Sequence, residues 1–358
     1  MKRSSFLKGL LSVSAMTLLG EREARAGAPS VVRIGVPGVG VGDRPKTGGS
    51  APSTVGLRGL LEEELKADGI RVQWNYLRGA GPAVNELFAN GLVDFGFGLG
   101  DLPSIIGRAG GLPTRLLMAG GIRQNSYLSV TADSPISGVK DLKGQKVAVF
   151  KGTNIQLAVA RILEASGLTE RDLRSINMNT PTTKAALVTR DVHAAFGGSD
   201  YLALRDQGIT KVVFTTRGGN PGFLRHSSVV ASQSFIDQYP QITQRVVNVI
   251  VGAAKWLSDQ DATPAPVFQL WTKSGVQFND YKEDFSGSSL KVRSSPLIDE
   301  YFSSQYKRSI VDAKRFGLIR NEFSFEAWAE GKFLREALRA QKLESYWTPH
   351  GADGKPKA

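Results

Sequence analysis

Glycines crowd the stretch Gly38–Gly49, directly behind the apolar run Val31–Val36, and glycines behind a strand can cradle a phosphate. The spacing argues against it. Gly38-x-Gly40-x-Gly42 brings the third glycine one residue too early for G-x-G-x-x-G. A dinucleotide site also needs a helix to open at the glycines, so that its N-terminus meets the pyrophosphate. Here Pro45 and Pro52 intervene before Ser53, and no G-K-[ST] completes a P-loop. Lys46-Thr47-Gly48 and Ser137-Gly-Val-Lys140 imitate penicillin-recognising motifs, but in the wrong order and without S-D-N. His193, His226 and His350 are far apart with no H-E-x-x-H, so neither a metal site nor any other cofactor is expected. The sequence has no cysteine, which removes thiolate metal sites, disulfides and a cysteine nucleophile.

What recurs is a strand, a small-residue turn and a helix start. It is found at Gly98-Leu-Gly100-Asp101, at Lys151-Gly-Thr153-Asn154 and at Gly197-Gly198-Ser199-Asp200. Helix N-termini carry unpaired N–H groups and about half a positive charge, which suits a small anion. Any one of Asp101, Asn154 and Asp200 also reads as a plain N-cap. Three such turns, at the carboxyl ends of strands where open α/β sheets bind ligands, point to a shared cleft.

The elements that would position these turns alternate. Strands are expected at Val31–Val36, Ile70–Tyr76, Val93–Phe97 and Leu116–Gly120, and helices at Thr54–Ala67, capped by Ser53, and Ala83–Asn90. The rhythm restarts with strands at Tyr127–Thr131, Lys146–Phe150, Ser175–Met178, Ala194–Gly197 and Lys211–Thr215. Helices at Asn154–Ser166, Thr183–Arg190 and Tyr201–Gln207 separate them. Alternation of this kind means βαβ units and mostly parallel sheets, here in two α/β sets. Beyond Phe235 the pattern is helical, Ile242–Gln260 most clearly, and Thr348–Ala358 reads as a polar, frayed end.

The 358 residues suit about two domains. Lys2, Arg3 and Lys8, the apolar Gly9–Gly20 and Ala24-Arg25-Ala26 make residues 1–26 an export signal cleaved after Ala26. Arg3-Ser4 departs from a twin-arginine pair, leaving the Sec and Tat routes open. The formal charge is +12, and removing the five basic and two acidic residues of 1–26 leaves +9. That balance favours anionic partners. Without basic clusters interleaved with aromatics, nucleic acid is not expected.

The chain resembles the substrate-binding proteins of ABC transporters for sulfonate, taurine and nitrate. The resemblance rests on Asn90-Gly-Leu-Val-Asp-Phe-Gly96 leading into Gly100-Asp-Leu-Pro103, and on Val139-Lys-Asp-Leu-Lys-Gly-Gln-Lys-Val147 leading to Lys151-Gly-Thr153. Glu164-Ala-Ser-Gly-Leu-Thr169 and Tyr239-Pro240 add to it, and it covers about residues 31–340. It implies an α/β type II periplasmic-binding-protein fold, two lobes joined by hinge strands. One lobe would be discontinuous, 27–124 plus 222–345, the other 125–221, with a polar tail at 346–358. It further implies a monomeric, non-enzymatic periplasmic protein that captures a small, sulfonate-like organic anion and delivers it to an inner-membrane permease and its ATPase. The implied ligand contacts are the loop behind the first strand, Gly42 within it, then Gly100 and Asp101, Thr153 and Asn154, and Gly198, Ser199 and Asp200. By their charge Arg44, Lys46 and Arg225 could serve an anion there, though each also reads as a solvated surface cation. Asp101 and Asp200 could instead pair with a substrate amine. Leu99 stands where many members have Ser or Thr, which leaves room for a larger, more apolar ligand. Two alternatives stay open: a sensory protein presenting ligand to a membrane receptor, and an enzyme on the same fold, such as the thiamine-pyrimidine synthases. The missing cysteine disfavours the latter.

Overall fold

A computed structural model describes residues 27–357; the segment read as an export signal lies outside the described residues. The strands are β1 (Val31–Val36), β2 (Arg71–Tyr76), β3 (Phe95–Gly100), β4 (Thr114–Gln124), β5 (Tyr127–Thr131), β6 (Lys146–Ala148), β7 (Arg174–Ile176), β8 (Ala194–Gly197), β9 (Thr210–Thr215) and β10 (Arg225–Ser232). They form two five-stranded sheets of matching order, β2-β1-β3-β10-β4 and β7-β6-β8-β5-β9. In each sheet the first three strands are parallel. The fourth, β10 or β5, runs antiparallel to both its neighbours. The expectation of mostly parallel sheets therefore holds for only part of each sheet.

The chain passes between the sheets twice, at Asn125-Ser126 and again between β9 and β10. The two crossings are tied together: Ser126 N–H donates to Thr216 Oγ1 (2.8 Å), and Thr216 N–H to the Ser126 carbonyl (3.0 Å).

Helices cover both faces of the first sheet. The helix Pro240–Asp259 repeats apolar residues at three- and four-residue spacing, and Val246, Val247, Ile250, Val251 and Leu257 are fully buried with Val32 and Ile34 of β1. Each such side chain contributes about 1.5–3 kcal/mol. A second core holds Leu99, Leu102 and Ile105 against Tyr301, Phe302 and Tyr306 of the helix Glu300–Arg315. The second sheet is packed by the helix Asn154–Ala165 through Leu163, Val159 and Ile162.

Two local expectations change. The helix expected at Thr54–Ala67 begins three residues earlier and is broken at Gly59, whose φ of 66° is left-handed. The pieces are Ala51–Arg58 and Leu60–Leu65. The C-terminal end is not frayed. Trp347 is buried in the first core, His350 N–H donates to Asp299 Oδ2 (2.8 Å), and Arg123 donates to the Gly354 carbonyl (2.8 Å). A polar composition predicts fraying only where the polar groups find no partners, and here they do.

Candidate functional site: a cleft between the two sheets

Between the sheets lies a cleft of about 580 Å³. Pro37–Gly42 behind β1, Gly98 of β3, Gln124 at the end of β4 and Ser227 of β10 line it from one side. Phe150, Thr153–Ile155, Met178, Lys184 and Gly197–Tyr201 line it from the other. The volume is in the range of small-molecule sites, roughly 300–1,000 Å³.

Strand alternation sets the floor of the cleft. Successive side chains of a strand point to opposite faces. Arg225 and Ser227 of β10 line the cleft, while His226 between them is fully buried on the other face, its ring 5.5 Å from that of Tyr301. Arg225 Nε donates to Ser126 Oγ (3.0 Å), Nη1 to Asn154 Oδ1 (3.4 Å), and Nη2 to the Asn125 carbonyl. All three partners are neutral. Burial lowers the pKa of this guanidinium, and Asp284, Asp101 and Asp200 oppose that from further away. An arginine stays protonated through such a shift. The cleft floor thus holds a fixed cation held by neutral groups, poised for an anion.

Next to it stands a cluster of hydroxyls. Ser50 caps the helix Ala51–Arg58 by accepting from Ser53 N–H. The Ser53 hydroxyl lies 3.0 Å from Ser50 Oγ and 3.1 Å from Thr47 Oγ1. All three residues line the cleft beside Ser227. Together with the helix N-terminus they can donate several hydrogen bonds to an oxyanion.

Of the residues singled out in the sequence, Gly42, Thr153, Asn154, Gly198, Ser199, Asp200 and Arg225 line the cleft. Arg44, Gly100 and Asp101 do not. Arg44 and Lys46 are exposed, and the Arg44 carbonyl serves the loop by accepting from Gly40 and Lys46 N–H. Gly100 lets the two halves approach: a Cβ there would stand 2.9 Å from Asn154 Cβ. Asp101 lies beneath the cleft, 2% exposed, accepting from Leu102 N–H (2.8 Å) and Ser309 Oγ (3.2 Å). Burial raises its pKa, with nearby Arg161 the main opposing influence. Asp200 faces the cleft but is ion-paired to Lys184 at 2.5 Å. Asp101, Asn154 and Asp200 are the first or second residues of their helical turns; the capping positions belong to Gly100, Thr153 and Gly198. Leu99 is buried in the second core, so it sets no apolar character in the cleft.

The glycine loop is explained by its support. Val41 N–H donates to the Ser274 carbonyl (2.8 Å). A Cβ on Gly40 would stand 2.2 Å from that same oxygen, and one on Gly48 would stand 2.3 Å from Tyr281 Oη. The loop lies flat on Trp271–Tyr281, where only glycine permits so close an approach.

Sequence reasoning missed β10, Thr47, Ser50 and Lys184. Arg225-His-Ser-Ser228 shows no apolar alternation to mark a strand, because Arg225 and Ser227 serve the cleft and His226 is a buried ring. The cluster Thr47, Ser50 and Ser53 did carry a signal, since hydroxyl residues gather around a helix start.

The chain matches the family model described as NMT1/THI5 like over residues 65–263. It is 29% identical over 192 residues to a protein of Escherichia coli K12 named for aliphatic sulfonates binding, covering 52% of this chain and 54% of that protein. A Bacillus subtilis 168 protein with the same name is 27% identical over 56% of this chain and 59% of its own length. The chain thus spans little more than half the length of the curated relatives it matches. Among solved structures it is similar to the periplasmic sulfonate-binding protein SsuA from Methylobacillus flagellatus KT. There the TM-score is 0.74 and the identity 31%, over 90% of this chain and 97% of that one. With more than half its length matched by the model and nearly all of it by a homologous structure, this chain belongs to the NMT1/THI5-like family.

Proposed function

We propose that the chain is the periplasmic substrate-binding component of an ABC importer. In this reading it captures a small, sulfonate-like organic anion between two lobes, approximately 27–124 plus 222–345 and 125–221, and hands it to a membrane permease as a monomer. The observation that carries the proposal is Arg225, a cation on the cleft floor whose three partners are neutral. An anion laid against it replaces no existing ion pair. Beside it, Ser50, Ser53, Thr47 and Ser227 supply donors, and Thr153, Asn154, Gly198 and Ser199 close the site from the second sheet. The sulfonate-binding names of the relatives support the class of ligand. Binding rather than turnover fits a site that offers donors and a fixed charge but no cysteine nucleophile.

The test is titration calorimetry of the mature protein with ethanesulfonate, propanesulfonate, benzenesulfonate and nitrate, repeated on Arg225→Gln. A hydrogen bond to a charged group is worth about 1.5–3 kcal/mol, so the variant loses roughly 10- to 150-fold in affinity. Absence of binding by the natural protein, or equal binding by the variant, defeats the proposal.

A further inference from the structure

We infer that Lys184 determines which anions this cleft accepts: it cancels the charge of Asp200 and so selects simple anions against zwitterions that carry an amine. The inference rests on the anion-binding reading above and names the substrate class more closely.

Asp200 and Arg225 are near neighbours across the cleft. The position a Cβ would take on Gly198 is 3.3 Å from Asp200 Oδ1 and 3.7 Å from Arg225 Nη2. The carboxylate and the guanidinium are therefore separated by at most the sum of those distances, and any anion seated on Arg225 is close to Asp200. Left alone, Asp200 would repel that anion and would welcome an ammonium group two carbons away. Lys184 prevents both. Its Nζ lies 2.5 Å from Asp200 Oδ2 and 5.6 Å from the centre of the Tyr201 ring, and both members of the pair are about one-fifth exposed. Lys184 also acts on the neighbouring buried Asp280 carboxyl, where its positive charge opposes the repulsion that comes from Asp200. The other carboxylate lining the cleft, Asp284, is already occupied by Arg293 at 2.9 Å and by the Tyr127 hydroxyl at 2.8 Å. Neither lining carboxylate is free to receive a ligand amine.

Propanesulfonate and 2-aminoethanesulfonate have the same shape and differ by a methyl against an ammonium group. Calorimetry with both ligands on the natural protein, Lys184→Met and Lys184→Arg reads the inference directly, with circular dichroism to verify that each variant is folded. The natural protein and Lys184→Arg should favour propanesulfonate. Lys184→Met should bind propanesulfonate more weakly and 2-aminoethanesulfonate more tightly. The ratio should shift by tenfold or more, roughly the worth of one partly desolvated charge pair. A ratio unmoved by Lys184→Met, or a natural protein that takes both ligands equally, overturns the inference while leaving the anion-binding reading intact. Failure of the natural protein to bind either sulfonate defeats both. An unfolded Lys184→Met is replaced by Lys184→Gln, read in the same way.

Discussion

Arg161 and Asp312 form a buried ion pair that joins elements of different sheets. Arg161 lies on the helix that packs the second sheet, Asp312 on the helix Glu300–Arg315 that packs the first, and Nε stands 2.7 Å from Oδ2. The side chains are 3% and 8% exposed. Arg161 also donates to Ser309 Oγ (3.0 Å), which in turn donates to Asp101. The pair is therefore the centre of a buried network linking the two halves below the cleft.

Breaking such a pair by removing one partner costs about 3–5 kcal/mol, whereas replacing both by apolar groups is often neutral. Here Arg315 also holds Asp312, Nη2 to Oδ1 at 2.8 Å, which softens the loss. Arg161→Met should lower the melting temperature, and Arg161→Met/Asp312→Leu should recover part of it. A double-mutant cycle by thermal denaturation measures this; a coupling energy near zero would show that the pair does not hold the halves together.

The glycine loop gives a second expectation, because its glycines are needed for different reasons. Gly48→Ala drives a methyl into Tyr281 Oη and Trp271 Cβ, two side chains of a packed aromatic cluster. Overpacking of this kind costs about 1–3 kcal/mol. Gly42 has φ 68° with open space around it, so Gly42→Ala meets only the left-handed penalty of about 1–2 kcal/mol. Near-ultraviolet circular dichroism should separate them: Gly48→Ala should disturb the aromatic signal and Gly42→Ala should leave it unchanged. The same disturbance in both variants would mean that the loop does not rest on Tyr281 as described.

This loop also shows how far a sequence can be read. Its failure as a nucleotide cradle was legible in the spacing of Gly38, Gly40 and Gly42, and so were the turns at Thr153-Asn154 and Gly198-Ser199. What the glycines are for was not legible, because Trp271, Ser274 and Tyr281 lie more than 220 residues away in the chain. Arg225 was visible as a cation but not as a site, since only the pairing of β10 between β3 and β4 aims it into the cleft. Asp101 and Asp200 look alike in their turns. The fold buries one under Ser309 and hands the other to Lys184.

Two buried groups oppose each other as the solution is acidified. Burial raises the Asp280 carboxyl to about 6, helped by Asp206 and Asp200 and opposed by the Gln277 N–H and Lys184. Burial lowers His226 to about 3, and the charges of Arg161, Arg123 and Arg225 push the same way. For Asp280 the folded chain holds its proton more tightly than the unfolded one, so stability falls as pH rises from about 4 to 6 and stays reduced above. For His226 the unfolded chain takes up a proton that the folded chain refuses, so stability falls as pH drops below about 6.5 toward 3. Between pH 4 and 6 the two slopes partly cancel. Asp280→Asn keeps an acceptor for the Gln277 N–H and removes the carboxylate, so it should raise the melting temperature by a few degrees at pH 8. At pH 4.5 it should change little, and the acid-side decline should become steeper. His226→Gln should flatten that decline whatever its effect at pH 8. Melting curves of the three proteins from pH 4 to 8 decide the matter, and a constant offset between Asp280→Asn and the natural protein across that range would remove Asp280 as the source of the slope.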